Sequence, residues 1–383
     1  MKLAVEPELE TLRTAIAARA AATLGPLAAA VDREQKFSWD LWAFVRELGL
    51  TRLPFAEKYG GEGGTYRAYT VAAAEVAEHC AVASLYPGTT VQVAMALLEH
   101  GTAEQIETVV PRLVAGDALA AWAFTEPATG SDPRQIATRA ERDGDGWVLR
   151  GSKQFISYAG QAEYALVFAR TSDTALGAFL VDTRSPGWSV GASSEVLSMG
   201  GTEAKPVHIE NLRVPDTARV GAPDAGFDIM ISGEAFGKVR AAAISLGVGR
   251  RALREAARYG LSREHRGTPI ARRFATIQSL LGAATAQVLA ADALILGCAD
   301  LLDRGESIAA EAASARLVAA QASQQAATAA LHVCGAYGLT KDMVIERLYR
   351  EAVFYDVAQG VAEIQQIIVG RELLANAGTN KRS

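Results

Sequence analysis

Between residues 121 and 222 the chain stops reading as helix, and this interruption limits the folds open to it more than any other feature. Residues 1 to about 120, and again from Gly226 to about 377, are rich in Ala, Leu, Glu and Arg, with apolar groups at helical spacing. The segment between them alternates short β-favouring runs with Gly and Pro punctuation. Asp143-Gly-Asp-Gly146, flanked by Ala137–Arg142 and Trp147–Arg150, is a hairpin signal. Tyr164–Ala169, Gly177–Asp182 and Val207–Glu210 read as further strands, separated by Pro186-Gly187 and Pro206. The expectation is an α+β chain: an N-terminal helical domain over 1–120, a central antiparallel β domain over 121–225, and a C-terminal four-helix bundle over 226–383.

Within the first block, Trp39–Leu48 carries apolar residues at helical spacing and stops before Gly49. Leu53–Gly64 is glycine-dense, but no Gly-Lys-Ser/Thr follows and no strand precedes, so it reads as a connection and not a phosphate loop. Helices are expected over Tyr69–Val82 and Thr90–His100. Gly101-Thr-Ala-Glu-Gln105 has an N-cap Thr with Gln at the third helical position. The last block divides into four long pieces at Arg266–Pro269, Gly305–Ser307 and Gly335–Gly338. Ala-rich helices of that length need close neighbours, which a four-helix bundle supplies. The small residues of Ala309–Ala330 permit such packing within a subunit or between subunits.

Composition narrows the function classes. Hydrophobic residues are 50% and charged residues 21% of the 383, the balance of a globular protein. A formal charge of -5 argues against nucleic acid or an anionic membrane as partner. Cys80, Cys298 and Cys334 are far apart and lack metal-ligand spacing, so they read as small buried residues in a reducing compartment, with no metal site. The first ten residues are acidic without an apolar signal core, and no run approaches the roughly eighteen apolar residues that span a bilayer. A cytoplasmic location is expected.

The stretch Trp122-Ala-Phe-Thr-Glu-Pro-Ala-Thr-Gly-Ser-Asp132 marks the change of texture. Glu126-Pro127 ends a regular element, because proline fixes φ and disfavours helix in the residue before it. Thr129-Gly130-Ser131-Asp132 is turn chemistry, and clustered backbone N–H groups can hold an anion. Alone, such a turn more commonly just joins elements.

Helices, then a β segment opening at Thr-Glu-Pro-x-x-Gly-Ser-Asp, then four helices: this order resembles the acyl-CoA dehydrogenase superfamily of flavoproteins. Tyr59-Gly-Gly, Pro111–Gly116, Gly151-Ser-Lys-Gln-Phe-Ile-Ser157, Gly226-Phe, and Ile364-Gln365 through Arg371-Glu372 fall in the family's order, so the resemblance covers nearly the whole chain. It implies an FAD-dependent oxidoreductase acting on an acyl thioester, CoA- or carrier-protein-linked. An electron-acceptor flavoprotein or oxygen would be the electron partner, and a homodimer or homotetramer the assembly. By matching positions, Trp122, Phe124 and Thr125 would line the flavin, and Gly130-Ser131 would approach the pyrophosphate. Phe155, Ile156 and Ser157 occupy the family's Trp-Ile-Thr positions, although Phe155-Ile156 by itself reads as core strand. Arg263 would reach the FAD phosphates with a planar guanidinium. The loop of His332 and Gly335 would complete a neighbouring subunit's FAD site, with His332 where glutamine is usual. Substrate contacts are implied for Ser131, Lys238 and Gly360.

One position departs from the family. Its α-proton acceptor is a glutamate in a turn before the last helix, and here that turn reads Tyr355-Asp-Val-Ala-Gln-Gly360, with Gln359 at the glutamate position. A neutral amide accepts no proton near neutral pH. The alternative position on the first bundle helix is Gly237, beside Lys238. Three explanations stay open: a relocated carboxylate (Asp356, Glu363 or Glu234); a substrate that generates its own carbanion by decarboxylation, as for epoxyketone synthases; or a flavin-dependent monooxygenase. A catalytically silent flavin-binding or scaffold paralogue is the rival from another class.

Overall fold

A computed structural model describes residues 2–379. The first block contains α1 (Pro7–Glu34), α2 (Trp39–Glu47), α3 (Tyr66–Ala77), α4 (Ala81–Leu85), α5 (Gly88–His100), α6 (Ala103–Thr108) and α7 (Val110–Ala115). Local chemistry sets the helix starts. Ser38 Oγ accepts from Leu41 N at 3.2 Å and Thr65 Oγ1 from Ala68 N at 3.0 Å. The capping box at Thr102 and Gln105 forms as expected, with reciprocal bonds of 3.0 and 3.1 Å. Gln105 Nε2 also donates to Thr217 O at 2.9 Å, tying this cap to the β segment. The expected helix over Tyr69–Val82 is broken in the structure before Cys80, which caps α4.

The sheet contains β1 (Ala120–Ala123), β2 (Arg139–Asp143), β3 (Gly146–Ile156), β4 (Tyr164–Arg170), β5 (Leu176–Asp182), β6 (Trp188–Val190), β7 (Lys205–Pro215) and β8 (Arg219–Val220). Its order is β6-β7-β3-β2-β4-β5-β8, with β1 pairing on β4. Most pairs are antiparallel, but β1 runs parallel to β4 and β2 touches β4 in parallel at Arg139, so the sheet is mixed. The hairpin at 143–146 forms, with Asp143 opposite Gly146 and Gly144 at φ 60°. β1 escaped the sequence reading because three of its four residues are Ala. Ala120 N donates to Thr90 Oγ1 at 3.1 Å, which docks this strand on α5.

The last block opens with α8 (Gly226–Ser262), followed by the short hairpin β9 (Glu264–His265) and β10 (Thr268–Pro269) and then α9 (Ile270–Arg273). The long α10 (Ala275–Asp303) and α11 (Ala309–Cys334) complete the continuous rods. The fourth piece is not one helix but α12 (Ile345–Ala352), α13 (Phe354–Val357) and α14 (Ala362–Thr379). It breaks at Gln359 and Gly360, which take φ of 61° and 83°, outside the helical region. One hydrophobic core runs through all three blocks, and every residue of α8 from Phe236 to Arg250 is buried. Gly247 allows that depth, since a Cβ there would lie 2.4 Å from Ala74 O on α3. Among the described residues Pro7–Glu34, Ala81–His100 and Ala275–Asp303 are, by length and composition, long and apolar enough to cross a membrane, which corrects the expectation that no run approaches that length. Ala81–His100 is largely enclosed by the protein itself. The three cysteines are free and buried.

Candidate active site

The loop after β1 is held from within by a buried ion pair. Lys153 on β3 donates to Glu126 Oε1 at 2.8 Å and to Phe168 O at 2.7 Å. Glu126 also accepts from Ala137 N at 2.6 Å and Thr138 N at 3.0 Å, and from the Thr138 hydroxyl. Burial would push the Glu126 carboxyl up, but Lys153 and these donors outweigh it and hold the group below its ordinary range. Burial pushes Lys153 down to about 8 against the pull of Glu126. Glu126 and Thr129 exchange backbone bonds of 2.9 and 3.1 Å, closing a tight turn that leaves Gly130 and Ser131 at the surface. The role of Lys153 is absent from the sequence reading. Its one signal was a lysine inside an otherwise strand-like run.

Around this loop lie the residues expected to face a flavin. Trp122 is half-buried and packs against Phe168 with ring centroids 4.9 Å apart; Phe124 meets the same ring at 6.1 Å. Thr125 O accepts from Gln154 N at 2.8 Å, binding the loop to β3. A register shift between Lys153 and Ile156 throws Phe155 outward, at φ 57° and 62% exposed. Ile156 points the other way and is buried in the core. Ser157 lies half-exposed beside it. Two features fit an aromatic, hydrogen-bonding cofactor: the exposed Phe155 ring, and the buried Trp122 Nε1–H, which has no acceptor among the described residues.

The side where a proton acceptor is expected lies where α8 passes the break before α14. A Cβ on Gly237 would lie 2.8 Å from Gln359 Nε2, so the amide sits directly over this glycine. Gln359 Nε2 donates to Glu234 Oε1 at 3.2 Å. One residue earlier on α8, a Cβ on Gly233 would meet the Trp122 ring at 2.8 Å. Glu234 therefore lies between the Trp122 side and Gln359. Burial pushes its carboxyl up, opposed by Lys238, the Gln359 bond, Arg240 and Arg316. Burial likewise lowers Lys238, opposed by Glu234. The Gln359 turn is fixed from two directions. Gln365 Nε2 donates to Gly360 O at 3.2 Å, and the fully buried Arg316 donates to Ala358 O at 2.5 Å. Of the other carboxylates considered, Asp356 acts electrostatically on Arg316 and Glu363 is exposed on the first turn of α14. Among the carboxylates of the described residues, only Glu234 bonds to the Gln359 amide.

Arg263, His332 and Gly335 form a second, separate group. Arg263 caps the far end of α8 and is exposed, as are His332 and Gly335 at the end of α11. Tyr259 and Tyr337, with ring centroids 6.3 Å apart, bring these two ends together. Some thirty residues of helix, about 45 Å at 1.5 Å per residue, separate Gly233 from Arg263. The two groups therefore lie toward opposite ends of α8.

Comparison with known proteins identifies the family. The N-terminal, middle and C-terminal domain families of acyl-CoA dehydrogenase match residues 6–117, 121–212 and 224–374. The chain belongs to the acyl-CoA dehydrogenase family. It is 32% identical over 372 residues to cyclohexane-1-carbonyl-CoA dehydrogenase of Geobacter metallireducens, covering 96% of this chain and 97% of that one. Butyryl-CoA dehydrogenase from Megasphaera elsdenii superposes with a TM-score of 0.94 at 27% identity, covering 98% of this chain and all of its own. The prolyl acyl carrier protein oxidase AnaB follows at 0.91 and 25%, covering 97% and 100%. As an acyl-CoA dehydrogenase-family protein the chain is a flavin-dependent oxidoreductase, and its cofactor is FAD.

Proposed function

We propose that this protein removes two hydrogens from an acyl thioester, carried by CoA or by a carrier protein, with Glu234 as the group that takes the α-proton. The hydrogen bond between Glu234 and Gln359 carries this reading, because it puts a carboxylate where the family's turn meets α8. Bound FAD supplies the acceptor for the hydride leaving the β-carbon. Trp122, Phe124, Thr125, Phe155 and Ser157 would seat its ring, with Gly130 and Ser131 toward the pyrophosphate. The chain's own residues manage the proton. Gln359 donates to the ionised carboxylate and so favours the form that can accept a proton. Lys238 and Arg316 bring positive charge that counters burial and keeps Glu234 ionisable. Gly237 leaves room for the Gln359 amide that orients it. Gly360 would approach the thioester through its exposed backbone.

The carrier-protein option draws on the likeness to AnaB, whose substrate is carrier-bound. Assembly as a dimer or tetramer is supported by the separation of Arg263, His332 and Gly335 from the Trp122 group, since a second copy could bring them to one FAD. Anaerobic titration of the FAD-loaded protein with a panel of acyl-CoA and acyl-carrier thioesters tests the proposal. Bleaching of the flavin is the expected result, and no bleaching with any thioester overturns it in favour of a silent paralogue. Reoxidation by oxygen or by an electron-transfer flavoprotein then identifies the acceptor.

A further inference from the structure

We infer that the acyl group ends in a carboxylate, bound by Arg240 and the hydroxyls of Tyr69, Tyr158 and Tyr355. The inference rests on the proposed function for the position of the thioester end. Gly233, Gly237 and Arg240 recur at i, i+4 and i+7 and so share one face of α8. Gly233 meets Trp122 and Gly237 meets Gln359; Arg240 therefore follows one turn past the reacting position, about 4.5 Å further along the axis.

Arg240 is buried, at 3% exposure, yet has no carboxylate within salt-bridge distance among the described residues. Among the described residues its one bond is from Nη1 to Leu85 O, at 3.3 Å, and its Nε has no acceptor. Arg250, ten residues on in the same helix, shows what pairing looks like here: it meets Asp292 at 2.6 Å and Glu75 at 3.4 Å. Glu234, six residues back on α8, feels the Arg240 charge but makes no ion pair with it; a buried guanidinium without a direct partner is costly, so it calls for a counter-charge in contact with it. Space has been made for it. A Cβ on Gly88 would lie 1.6 Å from Arg240 Nη1, so the side chain fits only over a glycine.

The three tyrosine hydroxyls are buried and have no hydrogen-bond partner among the described residues, and each feels the Arg240 charge. They come from α3, from the turn after β3 and from α13, and Arg240 lies near enough to act on all three, while Tyr355 feels Arg316 as well. Tyr158 takes φ 62°, a conformation that a bulky side chain holds only when its surroundings dictate it. Arg240 Nε and the hydroxyls are all able to donate. Water could satisfy the hydroxyls but not the charge. A carboxylate, which only accepts and carries the opposite charge, satisfies both.

The experiment compares adipyl-CoA and pimelyl-CoA with the chain-matched hexanoyl-CoA and heptanoyl-CoA, in anaerobic reduction of the full-length FAD-loaded protein. The dicarboxylic thioesters are expected to half-saturate at a concentration at least about tenfold lower, and Arg240→Met to abolish that preference. Tyr69→Phe and Tyr355→Phe, which remove only a hydroxyl, are expected to lower it severalfold; they decide the matter if Arg240→Met does not fold. Equal response to both thioester classes in the wild type overturns the inference. The thermal midpoint with free adipate against free hexanoate reads the tail site without turnover. An adipate-specific rise lost in Arg240→Met, with no bleaching by any thioester, would keep the tail site and sink the dehydrogenation. Bleaching without chain-end preference or adipate shift would do the reverse.

Discussion

Gln359 and Glu234 are 125 positions apart and share one hydrogen bond of 3.2 Å, from the amide of the first to the carboxylate of the second. The pair brings an amide and a carboxylate from different chain segments to one contact. If the site needs one carboxylate at this contact, its side of the bond can be exchanged.

Glu234→Gln is therefore expected to slow flavin reduction by about 10²–10⁴-fold, the usual worth of a positioned general base. Gln359→Glu in that background returns a carboxylate across the same contact and should recover at least about tenfold. Stopped-flow flavin bleaching reads both. An unchanged rate in Glu234→Gln would remove Glu234 from the chemistry.

The raised carboxyl of Glu234 has a sign that can be measured. The base must be ionised to work, so the acid limb of kcat/KM should fall above the ordinary glutamate range. Lys238 opposes the effect of burial, so Lys238→Met should move the limb further toward alkaline pH. A limb that moves the other way, or stays, contradicts the assignment.

Much of this could be read along the chain, and the failures share a cause. The capping box at Thr102 and the hairpin at Gly144 are set by neighbours in sequence, and both formed as expected. β1 was missed because Ala is a poor strand former; its pairing with β4 and the Thr90 bond supply what propensity lacks. The expected fourth bundle helix is divided at Gln359, where Gln365 and Arg316 hold a turn from α14 and α11. Glu234 could be placed among several carboxylates but not singled out, since only folding brings α8 to that turn. The burial of Ile156 beside the exposed Phe155 likewise follows from the register shift in β3, which only the paired strand reveals.

A further pH effect arises away from the site. His79 is pushed down to about 4 by burial and by Arg254 and Arg251. The folded protein thus keeps it neutral while the unfolded chain protonates it near 6.5. Between those values the unfolded state binds more protons, so stability should fall as pH drops from about 6.5 toward 4. Urea midpoints across that window should flatten in His79→Gln. A mutant curve parallel to the wild type would dismiss the histidine as the cause.

The ion pair of Lys153 and Glu126 offers a test that separates scaffold from chemistry. Both side chains are buried, and their bonds tie β3 to the loop that carries Thr125, Gly130 and Ser131. Lys153→Met leaves the Glu126 carboxylate unpaired in the interior, a loss of about 3–5 kcal/mol. Removing both charges with Glu126→Leu and Lys153→Met should return much of that stability, because an apolar pair leaves no stranded charge. The FAD content should not return with it, since the backbone N–H groups of Ala137 and Thr138 lose the acceptor that shapes the loop. Chemical denaturation and the flavin-to-protein absorbance ratio measure the two effects separately. A double variant with full FAD occupancy would mean that the loop's shape does not depend on Glu126.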